Sequence, residues 1–166
     1  MDLSEVRMLV EYNYWARDRV LEAAARLSSE AYIRDLSNSF PSVRDTLVHI
    51  FSGEWVWCSR WLGESPTAMH EPETFPGVED LRSAWMAHES ELRGVIDRLG
   101  EDGVGRAIEY RGLDGSTWSQ PFVQMFRHLI NHGTYHRGQV TTMLRQLGAR
   151  PPESTDLITF HRLGLG

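Results

Sequence analysis

The stretch Phe126-Arg-His128-Leu-Ile-Asn131-His132-Gly133-Thr-Tyr-His136-Arg137-Gly138-Gln139 puts three of the chain's seven histidines within nine residues, each four from the next, in a pattern that reads as helix. Four residues on an α-helix advance about 40° around the axis and about 6 Å along it, so neighbouring imidazoles in this run can close on one ion. All three cannot. His128 and His136 stand about 80° and about 12 Å apart, so a metal held here takes two neighbours and needs a third ligand from elsewhere. At about 100° per residue the apolar stripe of this helix centres near Phe122, Leu129 and Val140, with His136 roughly 30° from the centre, His132 roughly 70° and His128 roughly 110°. His132 and His136 therefore point inward, and His128 reads as a partly exposed residue beside them. One inward histidine is ordinarily a hydrogen-bonded core residue. Two buried imidazoles one turn apart lose hydration and repel when protonated, and a shared cation is the simplest compensation.

Pro121 opens this helix at a position where its missing N–H costs little, and the stripe runs on through Phe126 and Leu144 to Gly148. Just before it, Ala107–Arg111 and Thr117–Gln120 flank Asp114-Gly115, the pair a tight turn demands, which predicts a short two-stranded ribbon. Three further amphipathic helices precede the ribbon. The first runs from Leu3 to about Leu27, with Asn13 inside its apolar stripe. The second starts at Ser42-Val-Arg-Asp45, close to a capping box with Asp in place of Glu, and runs through Leu47, Ile50, Phe51, Cys58 and Trp61 to Gly63. The third spans about Val78 to Leu99, with Leu81, Trp85, His88, Leu92 and Val95 on one face. Between the last two, Glu64 to Gly77 carries three prolines and reads as a link long enough to cross a bundle end or lie over a site. Past Gly148, the segment Asp156-Leu-Ile-Thr-Phe160 is apolar enough to pack down on the bundle. The pattern predicts an all-α fold class: one domain over residues 1–166, a four-helix bundle with a short β-hairpin before its last long helix.

Composition narrows the function classes. The lone cysteine, Cys58, has no partner for an internal disulfide, and the first residues lack the basic start and apolar run of a signal peptide, so a reducing cytoplasm is the expected location. No stretch approaches the roughly 18 apolar residues of a membrane span. The formal net charge of −6 argues against nucleic acid or anionic lipid as partners. All 17 basic residues are arginine, which reads as composition bias and says little about function.

The third ligand is open on periodicity alone. His88 lies squarely on the third helix's stripe, whereas His49 sits roughly 140° from the middle of the second helix's main stripe. A bundle helix packs on two neighbours, however, and Gly53, one turn after His49, would leave room for an ion or substrate. Glu54 falls at the centre of its own helix's stripe, where an ionised carboxylate needs a partner, and a buried ion pair with an arginine such as Arg137 is preferred over general-base work. Asn13 suits either a substrate contact or a bond across the core. Cys58 reads as a small core residue, and Trp15, Trp57 and Trp61 read as core or as pocket wall.

Three segments carry a family likeness: Glu11-Tyr-Asn-Tyr-Trp15-Ala, Leu47-Val-His49-Ile with Glu54 and Trp61-Leu-Gly63, and Asn131-His132-Gly-Thr-Tyr-His136-Arg137-Gly138-Gln139. With the closing Thr155-Asp156-Leu-Ile-Thr-Phe160, the chain resembles the DinB/YfiT-like family of small helical metalloproteins over nearly its whole length. The resemblance implies a metal triad of His49, His132 and His136, and so chooses His49 over His88. It leaves Asn13, Glu54, His128, Arg137 and Gln139 as residues around the site or its pocket. Arg17 departs from the pattern, since related chains often carry asparagine after Trp-Ala.

A three-imidazole site has an incomplete shell, the arrangement of a catalytic rather than a structural ion, and zinc or nickel is the expected metal. Relatives implied by the resemblance include enzymes using low-molecular-weight thiols such as bacillithiol or mycothiol. The leading expectation is therefore metal-dependent transfer of such a thiol to a small electrophile. The alternatives are metal-dependent hydrolysis of a small amide or ester, and a noncatalytic metal-binding stress protein. A homodimer is the expected assembly.

Overall fold

The computed structural model describes residues 1–166. Six helices appear in chain order: α1 (Leu3–Ala24), α2 (Ser29–Tyr32), α3 (Val43–Trp61), α4 (Val78–Gly103), α5 (Phe122–Gln146) and α6 (Leu157–Arg162). Two strands, β1 (Ala107–Arg111) and β2 (Thr117–Pro121), stand between α4 and α5. The expected four-helix bundle with its hairpin is present, and no helix is long and apolar enough to cross a membrane.

Local chemistry sets the boundaries. Asp2 caps α1 by accepting from the Glu5 N–H, and Ser42 with Asp45 forms a reciprocal capping box at the start of α3. Gly63 and Gly148, just past α3 and α5, take the left-handed backbone expected of helix-terminating glycines. Helix α4 passes the expected end at Leu99: Gly100, at φ 65°, breaks the direction and a last turn continues to Gly103. Helix α1 stops at Ala24, short of the expected Leu27, and the four-residue α2 has no counterpart in the sequence reading.

The four long helices pack as a ring in which α1 and α3 each touch both α4 and α5. Helices α1 and α3, consecutive among the long ones, thus face each other across the core, as do α4 and α5. The segment carrying α2 and the segment carrying the hairpin make those diagonal crossings. The 64–77 link instead joins neighbours, α3 to α4, and lies along α3, where the His70 N–H donates to Ser52 Oγ at 3.2 Å and Arg44 pairs with Glu73 at 2.7 Å. The link therefore runs along the bundle beside α3. The hairpin pairs Ala107 with Pro121 through Arg111 with Thr117 in antiparallel register, and buries Tyr110 against the Trp57 ring at 5.3 Å. The tail forms α6, whose Phe160 packs edge-on against Tyr12 and Trp15 of α1.

Candidate metal centre

Helix α3 is buried on two faces because it packs on both α4 and α5. Its His49 lies on the α5 side. There, one ring nitrogen from each of His49, His132 and His136 lies within 4.8 Å of the others. His49 Nε2 and His132 Nε2 are 2.9 Å apart, and the ring centroids of the three are separated by 4.4–4.8 Å. Burial follows the helical wheel of α5: His136 is buried, His132 half-buried and His128 exposed. His128 stays beside the cluster, 5.7 Å from the His132 ring and edge-on to Trp57. His88 is not among the three; it lies on α4, with its nearest polar neighbours in Glu54 and Glu91.

The surrounding groups fix how these rings face. His136 Nδ1 is bonded to Gln139 Oε1 at 2.6 Å, which places the proton on Nδ1 and leaves Nε2 free as a donor of its lone pair. Phe40 stacks on His49 at 4.0 Å and meets His136 edge-on at 5.5 Å, covering one side of the cluster. Gly53 does not leave an open space, as the sequence reading supposed: a Cβ there would stand 2.9 Å from His132 Cε1, so the missing side chain is room for the imidazole itself. Gly53→Ala should therefore push His132 out of line. Metal affinity measured by competition with a chromophoric chelator should fall about 10–100-fold, the scale of a perturbed ligand orientation.

All three imidazoles are held neutral. Burial pulls His49 down to about 4, with His136 adding to the shift. It pulls His132 down to about 3, helped by His136 and His49. His136 is lowered by burial against the opposing Gln139 bond. Uncharged histidines are the protonation state that metal coordination requires, and three imidazole donors suit zinc, nickel, copper or iron. Because the folded values lie below the usual 6.5, the unfolded chain binds more protons than the folded one between pH 6.5 and about 3. The metal-free protein should thus lose stability as the pH falls below 6.5, and none of this loss should appear above it. Urea unfolding midpoints at pH 7 and pH 5 should show that fall, with a smaller drop in His132→Ala.

Behind the histidines lies a buried polar network. Glu54 accepts from Asn13 Nδ2 (2.8 Å), Tyr14 Oη (2.8 Å) and Trp85 Nε1 (3.0 Å). Arg137 does not pair with Glu54 directly, contrary to the expected ion pair. Its guanidinium donates to Asn13 Oδ1 at 2.9 Å and to Thr134 at 3.1 Å, so Asn13 relays between cation and carboxylate across three helices. The short asparagine amide can satisfy both because one end accepts and the other donates. Asn13 thus takes the core-bonding role rather than a pocket position. Burial, then the nearby Glu54 charge, raises Tyr14 well above its usual value and keeps the phenol a donor. Arg17, the departure from the family pattern, is buried and pairs with Glu89 at 2.7 Å while lying over the Tyr14 ring.

Next to His49 a cleft of about 470 Å³ runs between the first half of α3 and the 64–77 link. Phe40, Pro41, Val48 and Met69 form its apolar wall, and Ser52 and His70, with the charged Arg44, Asp45, Glu71 and Glu73, its polar one.

Residues 3–163 match the DinB family. Protein DinB of Bacillus subtilis (strain 168) is 26% identical over 163 residues, covering 92% of each chain. The uncharacterized protein YizA of the same organism is 20% identical over 141 residues, 85% of this chain and 87% of its own. The crystal structure of a DinB-like protein from Bacillus cereus ATCC 10987 superposes with a TM-score of 0.67 at 15% identity, covering 85% of this chain and 91% of the other, which is a likeness of fold. With the bundle, the hairpin and a family match from the third residue almost to the end, the chain belongs to the DinB family.

Proposed function

We propose that the protein holds a divalent metal ion, zinc or nickel, through His49, His132 and His136, and transfers a low-molecular-weight thiol to a small electrophile bound in the adjoining cleft. The observation that carries this reading is the convergence of three neutral imidazoles from two helices, one of which, His49, also lines a cleft large enough for a small molecule. Three protein ligands leave room for an exogenous one. A thiol bound to such an ion gives up its proton far more readily than in water.

The chain's own residues supply orientation and shelter. Gln139 holds the proton on His136 Nδ1. Phe40 covers the imidazoles on one side, and Val48, Met69 and Pro41 offer the carbon skeleton of the electrophile an apolar surface. Ser52 fixes the 64–77 link over the cleft through the His70 N–H. In the transfer the thiol sulfur bonds to the electrophilic carbon, that carbon's bond to its leaving group breaks, and the thiol proton departs with the leaving group.

The test is turnover of an activated aryl chloride by metal-loaded protein, with and without added cysteine. Product that requires both cysteine and metal is expected. Metal-dependent turnover of an ester or amide that is indifferent to thiol would overturn the transferase reading in favour of hydrolysis. No turnover, together with a large loss of folding stability on chelation, would overturn it in favour of a bracing ion.

A further inference from the structure

The other buried face of α3 carries a second constellation. Cys58 follows His49 by nine residues, which is about 900° or half a turn net, so it lies on the α4 side rather than the α5 side. His88 and Glu91, three apart on α4, share the face that meets it. One donor atom from each of Cys58, His88 and Glu91 lies within 4.8 Å of the others. Cys58 is 1% exposed and His88 6% exposed, yet neither ring nitrogen of His88 has a hydrogen-bond partner. A buried imidazole with two unmet polar atoms is costly, and native interiors rarely leave one so.

The ring is aimed. His88 Nδ1 faces Glu91 Oε2 at 3.4 Å and Nε2 faces Glu54 Oε1 at 3.8 Å. The Glu54 carboxylate is already fixed by Asn13, Tyr14 and Trp85, and neither carboxylate makes a hydrogen bond to the ring, so a ring nitrogen remains available to a cation. Glu91 itself reaches solvent and gives the cluster an entry path.

We propose that Cys58, His88 and Glu91 form a second metal site, on the α4 face of α3, that takes a thiophilic divalent cation of the zinc class. Sulfur, imidazole and carboxylate are all zinc ligands, and one of each leaves a fourth position for solvent. Burial and the carboxylates of Glu91 and Glu54 push the free Cys58 thiol up to about 12, so a cation entering this site displaces the thiol proton. This site does not depend on the histidine triad.

Cobalt(II) titration of the full-length His132→Ala protein tests the proposal with the triad disabled. One equivalent should bind with a near-ultraviolet thiolate-to-cobalt charge-transfer band, about one proton should be released from the thiol, and zinc should displace the cobalt. The chain has a single cysteine, so the band reports Cys58 alone. It should vanish in Cys58→Ser. Glu91→Gln, at an exposed position that leaves the core intact, should weaken cobalt binding at least 10-fold. No charge-transfer band in folded His132→Ala protein, or unchanged affinity in Glu91→Gln, would overturn the site and leave His88 as an imidazole held between two carboxylates.

Discussion

Glu54→Leu is expected to lower the unfolding free energy by about 3–5 kcal/mol. The carboxylate is the common acceptor for Asn13, Tyr14 and Trp85, all buried. Leucine removes every acceptor at once and strands three donors, each worth about 1–3 kcal/mol when left unmet, although some relax toward other partners. It also removes the anion that Asn13 relays to the buried Arg137. For a chain of this size the melting temperature should drop by roughly 10 °C or more. Glu54→Gln keeps one acceptor but turns an amide N–H₂ toward existing donors, and should fall between the two. Thermal unfolding followed by circular dichroism measures all three; a loss under about 1 kcal/mol for Glu54→Leu would show that the donors find substitutes.

The second large effect concerns activity. His132→Ala should reduce metal-dependent turnover by roughly 10³-fold or more, the scale seen when a group acting at the reacting centre is removed. The His132 ring lies 4.8 Å from that of His49 and 4.4 Å from that of His136. Its folding cost should be small by comparison, since it is only half-buried. His128→Ala, at an exposed position, should change turnover little. Parallel steady-state kinetics and unfolding curves on the two variants separate a ligand from a bystander: equal losses in both would sink the distinction drawn between them.

The pattern of α5 was readable from the chain because one wide apolar stripe faces the core, and the gradient of burial from His136 to His128 follows the wheel. Helix α3 defeats the same method. It is enclosed by α5 on one side and α4 on the other, so a single-stripe reading centred near Glu54 puts His49 on what looks like the wrong face. Both faces are interior. That is also why Cys58 and Glu54 read as core filler and ion-pair partner when taken singly: their real neighbours, His88, Trp85 and Glu91, come from a helix some thirty residues away. The pairing of Glu54 is hidden for a related reason, since only a three-dimensional arrangement reveals that Asn13 stands between it and Arg137. The role of the 64–77 link turned on a further fact the chain does not display. Linker length alone does not reveal that the diagonal steps fall to the segments on either side of it.

Diagonal connectivity has a consequence for biosynthesis. His49 and His132 are 83 residues apart, and the helix carrying the latter is the last of the four to emerge from the ribosome. A nascent chain halted after the hairpin holds only one of the three imidazoles and lacks the wall against which α3 rests. The proposed uptake of a cation by the triad would therefore have to wait for α5, and products truncated before that helix could not sequester the ion through it.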